Sequence, residues 1–334
     1  MKKALFYRKQ SGNIVQCELC PHNCTIAEGK HGLCRVRQNI GGQLVSLNSD
    51  RLIAANVDPM EKKPLYHFFP GAETFSIAAA GCNFHCRNCQ NHTISQATPA
   101  LMDAGEPASA ALIIATAKQK GIGHITFTYT EPTVFYELML ETAELANSQG
   151  IHCSVVSNGF INPKPLARLL PVISAANIDL KFASDKLYRS IAGGWSKPVV
   201  ETIQTLHKHG VITEVTTLII PGLTDDETEF GEIARLLLNI SPEIPWHLSA
   251  FYPTYKMTDS AATPPEALTR LRQTALNMGM QHVYTGNIVD PEGSITYCPK
   301  CHTELIRRHR LSFHSIELKD GKCPHCGTKI YGKF

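Results

Sequence analysis

The sequence predicts an α/β fold assembled from consecutive parallel βα units, and three observations carry that prediction. Short apolar runs alternate with helix-like stretches from Phe75 to about residue 285, the pattern of strands wrapped by crossover helices. The helix-like stretches end at stop signals such as Gly121, Gly123 and Gly150. The polar motifs that look chemical fall just after the apolar runs, and parallel α/β sheets bind ligands at the carboxyl ends of their strands. At 334 residues and 43% apolar content the chain can bury a core of barrel size and carry smaller appendages.

Taken in order, the start Met1 to Lys9 is positively charged but lacks the apolar segment of ~7–15 residues that an export signal needs. No run approaches the ~20 apolar residues that span a bilayer, so a cytoplasmic location is expected, with no membrane partner. The net charge of +3 is too mild to predict a nucleic-acid partner. The one basic run, Arg307-Arg308-His309-Arg310, is expected to form a solvated face.

Eleven of the twelve cysteines fall into short-spaced groups, which in a chain without an export signal argues for metal ligation rather than a disulfide scaffold. Residues 1 to about 72 are rich in turn formers, and such a lobe has little core of its own. Cys17, Cys20, Cys24 and Cys34 would staple it through a metal. Structural zinc and an auxiliary iron–sulfur cluster both suit four thiolates, and His22 is a spare candidate ligand. Cys153, inside the apolar run 151–156, reads as a small core residue.

The run 75–80 delivers the chain to Cys82-x3-Cys86-x2-Cys89. Three thiolates on one short loop can hold a [4Fe-4S] cubane and leave one iron open to a small molecule. Half of a structural zinc site is the alternative. Further strands are expected near 124–129, 151–157, 176–182, 211–220, 246–252 and 281–285. Helices are expected near 109–120, 133–149, 163–170, 196–209, 225–239 and 264–279. Such units could close partly into a barrel or lie open as a doubly wound sheet. After the strands come Tyr129-Thr130-Glu131-Pro132, Ser157-Asn158-Gly159 and Asp179-Leu180-Lys181. In a strand, Asp179 and Lys181 would share one face.

These motifs resemble those of the radical S-adenosylmethionine (SAM) superfamily, and within it the glycyl-radical-enzyme activases such as pyruvate formate-lyase activating enzyme. Cys17 to Cys24, Asp58 to His67 and the last cysteine pairs extend the likeness over nearly the whole chain, to the radical SAM enzyme of the AmmeMemoRadiSam system. The resemblance implies a partial (β/α)6 TIM-type barrel over 73–293, flanked by a Cys-rich segment at 1–72 and a metal segment at 294–334. It implies a [4Fe-4S] cluster on Cys82, Cys86 and Cys89 and reductive cleavage of SAM to methionine and a 5′-deoxyadenosyl radical that abstracts hydrogen from a substrate. Glu131 would accept from the SAM amino group, Lys181 would face its carboxylate and Asp179 its ribose, with Ser157 and Asn158 as further contacts. A flavodoxin- or ferredoxin-type electron donor follows, and a protein substrate or the companion proteins of that system are possible partners. Two departures stand out. Tyr129 and Thr130 replace two glycines, and Asn88 replaces an aromatic residue. His247, Phe251 and Tyr252 lie where the likeness puts an adenine or substrate contact, although a strand histidine is more often a core residue. The segment 221–226 reads equally well as a turn with an N-cap.

Cys298-x2-Cys301 and Cys323-x2-Cys326 read as a zinc-ribbon or rubredoxin-like site for zinc or iron. The enzyme reading has two alternatives: a glycyl-radical-enzyme activase, and a non-catalytic binding module stapled by metals.

Overall fold

The computed structural model describes residues 2–334; Met1, part of the expected non-signal start, lies outside the described residues. Eight strands form the main sheet: β1 (Ala54–Pro59), β2 (Glu73–Ala78), β3 (His124–Phe127), β4 (His152–Ser157), β5 (Ala175–Asp179), β6 (Ile212–Ile219), β7 (Trp246–Ala250) and β8 (Val283–Gly286). Their spatial order is their sequence order. Strands β2 to β8 run parallel, and β1 pairs antiparallel with β2 from Ala54↔Ala78 to Pro59↔Glu73. Each crossover therefore steps one strand in the same direction, which is the winding of a barrel; a doubly wound sheet would reverse its order at a switch point. Among the described residues no ladder joins β8 to β1, so the wall stays open on that side.

The crossovers carry α1 (Ala110–Gln119), α2 (Tyr136–Asn147), α3 (Pro163–Leu169), α4 (Ser196–Lys208), α5 (Glu227–Leu238) and α6 (Pro265–Asn277). Each packs a buried stripe on the outer face of the sheet. In α2 this stripe includes Leu138, Met139 and Thr142; on α5, Phe230 stacks on Trp246 at 4.9 Å between ring centres. Asp226 caps α5 by accepting from Thr228 N and Glu229 N at 3.0 and 3.1 Å, so the segment 221–226 takes its structural reading. No helix is long and apolar enough to cross a membrane.

Alternate residues of a strand face opposite sides, and here the inner set is polar. Thr74, Thr126 and Ser154 form a hydroxyl chain across β2, β3 and β4 with spacings of 2.7 and 2.8 Å. Further round, Asn177, Glu214, His247 and Tyr284 meet the segment Met60 to Phe69, which fills the interior from one end. Asn177 Nδ2 donates to Pro64 O at 2.8 Å, and Glu214 Oε1 accepts from His67 N at 2.7 Å. Tyr284 Oη lies 2.6 Å from His67 Nε2. Met60, Leu65 and Phe68 pack on Ala175 around this filling. It forms the floor beneath the strand ends.

Three findings depart from the sequence reading. Strand β1 was not expected; Ala-Ala-Asn-Val-Asp-Pro shows no alternation, and this edge strand is held by its ladder to β2. Strand β5 stops at Asp179, so Lys181 lies beyond the pleat. Arg308 is not on a solvated face. It sits on Glu304–His309 of a three-stranded C-terminal sheet, and alternation turns it inward. There it is 2% exposed, bonds Thr296 Oγ1 at 3.0 Å and Tyr66 O at 2.5 Å, and lies 3.3 Å from the Glu61 carboxylate. The N-terminal lobe consists of two further three-stranded sheets of short strands.

Candidate active site

One cavity of ≈ 620 Å³ opens where β2 to β7 end, within the range of ligand pockets, about 300–1,000 Å³. Its wall contains Cys82, Cys86 and Cys89 together with Glu131, Ser157, Asn158, Asp179 and Lys181. All eight residues proposed from sequence for the cluster and SAM thus face one space.

The cysteine loop leaves β2 through Gly81, whose φ of +112° and lack of a side chain are both needed, since a Cβ there would stand 2.7 Å from Val36 Cγ1. The loop is pinned from below: His85 N donates to Ala192 O and Arg87 N to Ile191 O, each at 2.9 Å. Phe84 N donates to Cys82 Sγ at 3.3 Å, and Cys89 Sγ lies 3.2 Å from Ser95 Oγ. Burial pushes the Cys82 thiol well up, with Glu131 adding to it, and pushes Cys86 up to about 11 against the pull of Lys181. A thiol becomes a metal ligand only once deprotonated.

Glu131 is buried and accepts three hydrogen bonds: from Thr133 N at 2.9 Å and Ser157 Oγ at 2.8 Å on Oε1, and from Asn158 N at 2.8 Å on Oε2. Burial raises its pKa, and these donors oppose the shift. Asn158 Nδ2 continues the chain to Asn83 Oδ1 at 2.8 Å, so the carboxylate ties the ends of β3 and β4 to the cysteine loop. Lys181 Nζ pairs with Asp179 Oδ2 at 2.8 Å. Burial works against the ammonium, but Asp179 and Cys86 outweigh it and the Lys181 pKa is raised. The pair survives the loss of strand geometry because the chain beyond Asp179 still turns Lys181 into the cavity.

The structure adds residues that the sequence reading did not assign. Lys62, Lys63 and Pro64 line the cavity from the floor. Asp58 holds both lysines at 2.7 Å and accepts from the Tyr129 hydroxyl. Lys63 lies 4.2 Å over the Tyr129 ring, a cation–π contact. Tyr129 has φ +64°, so the backbone turn that glycine would make is kept by a non-glycine residue whose side chain is fastened on both sides. The signal was the charge-dense Asp58 to Lys63 ahead of the first parallel strand. His247, Phe251 and Tyr252 do not line the cavity: His247 is buried against Glu214 at 2.7 Å, Phe251 is core, and Tyr252 donates to Asn287 O at 2.9 Å. Asn88 lines it.

The two outer cysteine groups differ. Cys298, Cys301, Cys323 and Cys326 bring their sulfurs within 4.8 Å of one another, a set able to hold one metal ion. Two like knuckles build it: Cys298 N donates to Thr303 O and Cys323 N to Thr328 O, both at 2.9 Å. Cys17, Cys20, Cys24 and Cys34 surround a separate cavity of ≈ 20 Å³, and His22 beside them is engaged with Asn83 O at 2.9 Å. Cys153 is buried in β4, as expected.

Comparison with known proteins bears on this geometry. The radical SAM superfamily profile matches residues 76–237. An uncharacterized protein of Methanocaldococcus jannaschii is 38% identical over 333 residues, 99% of each chain. The pyruvate formate-lyase-activating enzyme of Clostridium pasteurianum is 24% identical over 51% of this chain and 71% of its own. Among solved structures, Streptococcus suis SuiB bound to S-adenosylmethionine superposes with a TM-score of 0.51 at 13% identity, covering 68% of this chain and 53% of SuiB, a likeness of fold.

Proposed function

Because this chain belongs to the radical SAM superfamily and is an enzyme of that type, related to pyruvate formate-lyase-activating enzyme, we propose that its rim cavity holds a [4Fe-4S] cluster on Cys82, Cys86 and Cys89 and binds SAM beside it. One observation carries the assignment: the three thiols share one cavity with Glu131, Asp179 and Lys181. The donor set fits, since three thiolates leave one iron of a cubane open. When bound, the group supplies one electron to SAM, giving methionine and a 5′-deoxyadenosyl radical that takes a hydrogen atom from the substrate. The protein holds and orients the cofactor and shields it. Lys181 faces the SAM carboxylate, Glu131 accepts from its amino group, and Asp179 with the Ser157-Asn158 turn lies toward the ribose. Ser157 Oγ and Asn158 N also hold the Glu131 carboxylate in place, while the Asn158 side chain is bonded to Asn83.

A non-catalytic zinc module would need the three loop thiols to share one ion. Among the described residues the C-terminal four cysteines form the one group drawn together tightly enough for that. Those four fit zinc or a single iron and serve as a closed structural staple, with no open coordination position. A one-electron carrier of the flavodoxin or ferredoxin type is the expected donor; a protein substrate is in keeping with the activase relatives. Anaerobic reconstitution with iron and sulfide tests the site. The reduced wild-type cluster should change its electron paramagnetic resonance signal on adding SAM, and Lys181→Ala should keep the cluster but need more SAM for the change. A colourless, zinc-only protein would overturn the proposal.

A further inference from the structure

The four N-terminal cysteines sort differently from the four C-terminal ones. Sulfurs sharing one tetrahedral zinc stand roughly 3.8 Å apart, from the Zn–S bond of about 2.3 Å. The C-terminal pairs Cys298–Cys326 and Cys301–Cys323 match this at 3.5 and 3.6 Å. Cys17, Cys20, Cys24 and Cys34 are not drawn into a single-ion group among the described residues. They stand around one cavity of ≈ 20 Å³, more room than one water-sized body takes. The same contrast marks Cys82, Cys86 and Cys89, which also share a cavity without forming a single-ion group. In a cubane each thiolate caps a different iron, so its ligand sulfurs stand farther apart than those around one ion.

A second observation points to an anionic guest. Arg37 lines the same cavity and is 1% exposed. Its Nη1 donates to Leu5 O at 2.9 Å and its Nη2 to Glu137 Oε1 at 2.5 Å, but its Nε is buried with no hydrogen-bond partner. Buried donors are almost always paired. A cluster with four thiolates carries net negative charge and offers sulfur acceptors. Leu19, Ile26 and Val134 close the same cavity with apolar side chains.

The lobe is also fastened where such a group would need support. Cys17 N donates to Cys24 O at 2.9 Å and Asn23 N to Cys20 O at 3.0 Å, which fixes the first three ligands on one hairpin. Asn162 Nδ2 bonds Glu18 O at 2.8 Å and Cys20 O at 3.2 Å, tying that hairpin to the barrel.

We infer that Cys17, Cys20, Cys24 and Cys34 bind a second [4Fe-4S] cluster, capped on all four irons by the chain, with Arg37 Nε donating to its sulfur. With no open iron it binds neither SAM nor substrate. The inference does not depend on what the rim cavity does.

Acid-labile sulfide is the direct test, because a mononuclear C-terminal site contributes none. Anaerobically reconstituted full-length protein should carry about eight sulfides per chain, against about four if only the rim loop holds a cubane. The variant Cys82→Ala/Cys86→Ala/Cys89→Ala should keep about four sulfides and about four irons beyond any single iron at the C-terminal site, with Mössbauer parameters unmoved by SAM. Adding Cys20→Ala and Cys34→Ala should remove them. Zinc in place of iron and sulfide in the triple variant would overturn the inference, and so would about four sulfides in a wild type whose rim cluster is shown to be present by its response to SAM. Should the triple variant fail to fold, the wild-type count decides.

Discussion

Replacing Glu131 by glutamine removes one oxygen from a carboxylate that accepts three hydrogen bonds from the chain and keeps acceptor capacity on Oε2. Oε1 accepts from Thr133 N and Ser157 Oγ, and Oε2 from Asn158 N. The glutamine oxygen can keep the first two donors only by turning its amide nitrogen toward the Asn158 N–H, so one buried donor loses its acceptor. The loss of that charge-assisted bond costs about 1.5–3 kcal/mol. Urea unfolding should therefore show a lower midpoint with an unchanged slope. The same change removes the negative charge proposed to meet the SAM amino group, and calorimetric affinity for SAM should fall roughly 10- to 150-fold while iron and sulfide contents stay at wild-type values. An unchanged unfolding midpoint would refute the hydrogen-bond account. Unchanged affinity would refute the assignment of Glu131 to the cofactor.

Other outcomes follow from the packing. Cys298→Ser/Cys301→Ser should lower the melting temperature and leave uncoupled SAM cleavage within a few-fold of wild type, since those sulfurs lie outside the rim cavity; a folded variant with an intact rim cluster and no cleavage would contradict this. Arg308→Met should cost about 3–5 kcal/mol in chemical unfolding, because it strands the buried Glu61 carboxylate; a loss under about 1 kcal/mol would contradict a buried pair. His282 is buried against the His67 ring at 4.5 Å, and burial lowers its pKa to about 4 from 6.5. Between those values the unfolded chain binds the extra proton, so the His282 contribution is full above about pH 6.5 and is lost as pH falls toward 4. His282→Gln should flatten the decline of melting temperature across that window; an unchanged slope would contradict it.

The βα alternation was legible because strands covered on their outer face by helices leave apolar runs, as at Phe75 and His124, and because glycine ends the helices, as Gly150 does with φ +72°. The rim residues were legible because strand ends place them, and Glu131, Asp179 and Lys181 meet in one cavity although Glu131 and Asp179 lie 48 positions apart in sequence. The floor was not legible. Glu61, His67, Glu214 and Arg308 are polar residues whose partners lie far away in the chain, and a local reading assigns such residues to solvent. Lys63 lies within the stretch Asp58 to His67 that carries the family likeness, but its placement over the Tyr129 ring depends on the β1–β2 ladder, which the composition of Ala54–Pro59 does not signal. The spacing of Cys17 to Cys34 suits zinc and a cluster equally, so the metal of that site was not legible in the sequence.

The most direct test of the central claim is release of 5′-deoxyadenosine and methionine from SAM by the anaerobically reconstituted full-length chain under a low-potential reductant, measured beside Cys82→Ala/Cys86→Ala/Cys89→Ala. The wild type should release both products in equal amounts and the variant none, even though it keeps the metal of its outer sites. Equal release by the variant, or none by a wild type whose rim cluster is shown to be present and reduced, would contradict the account.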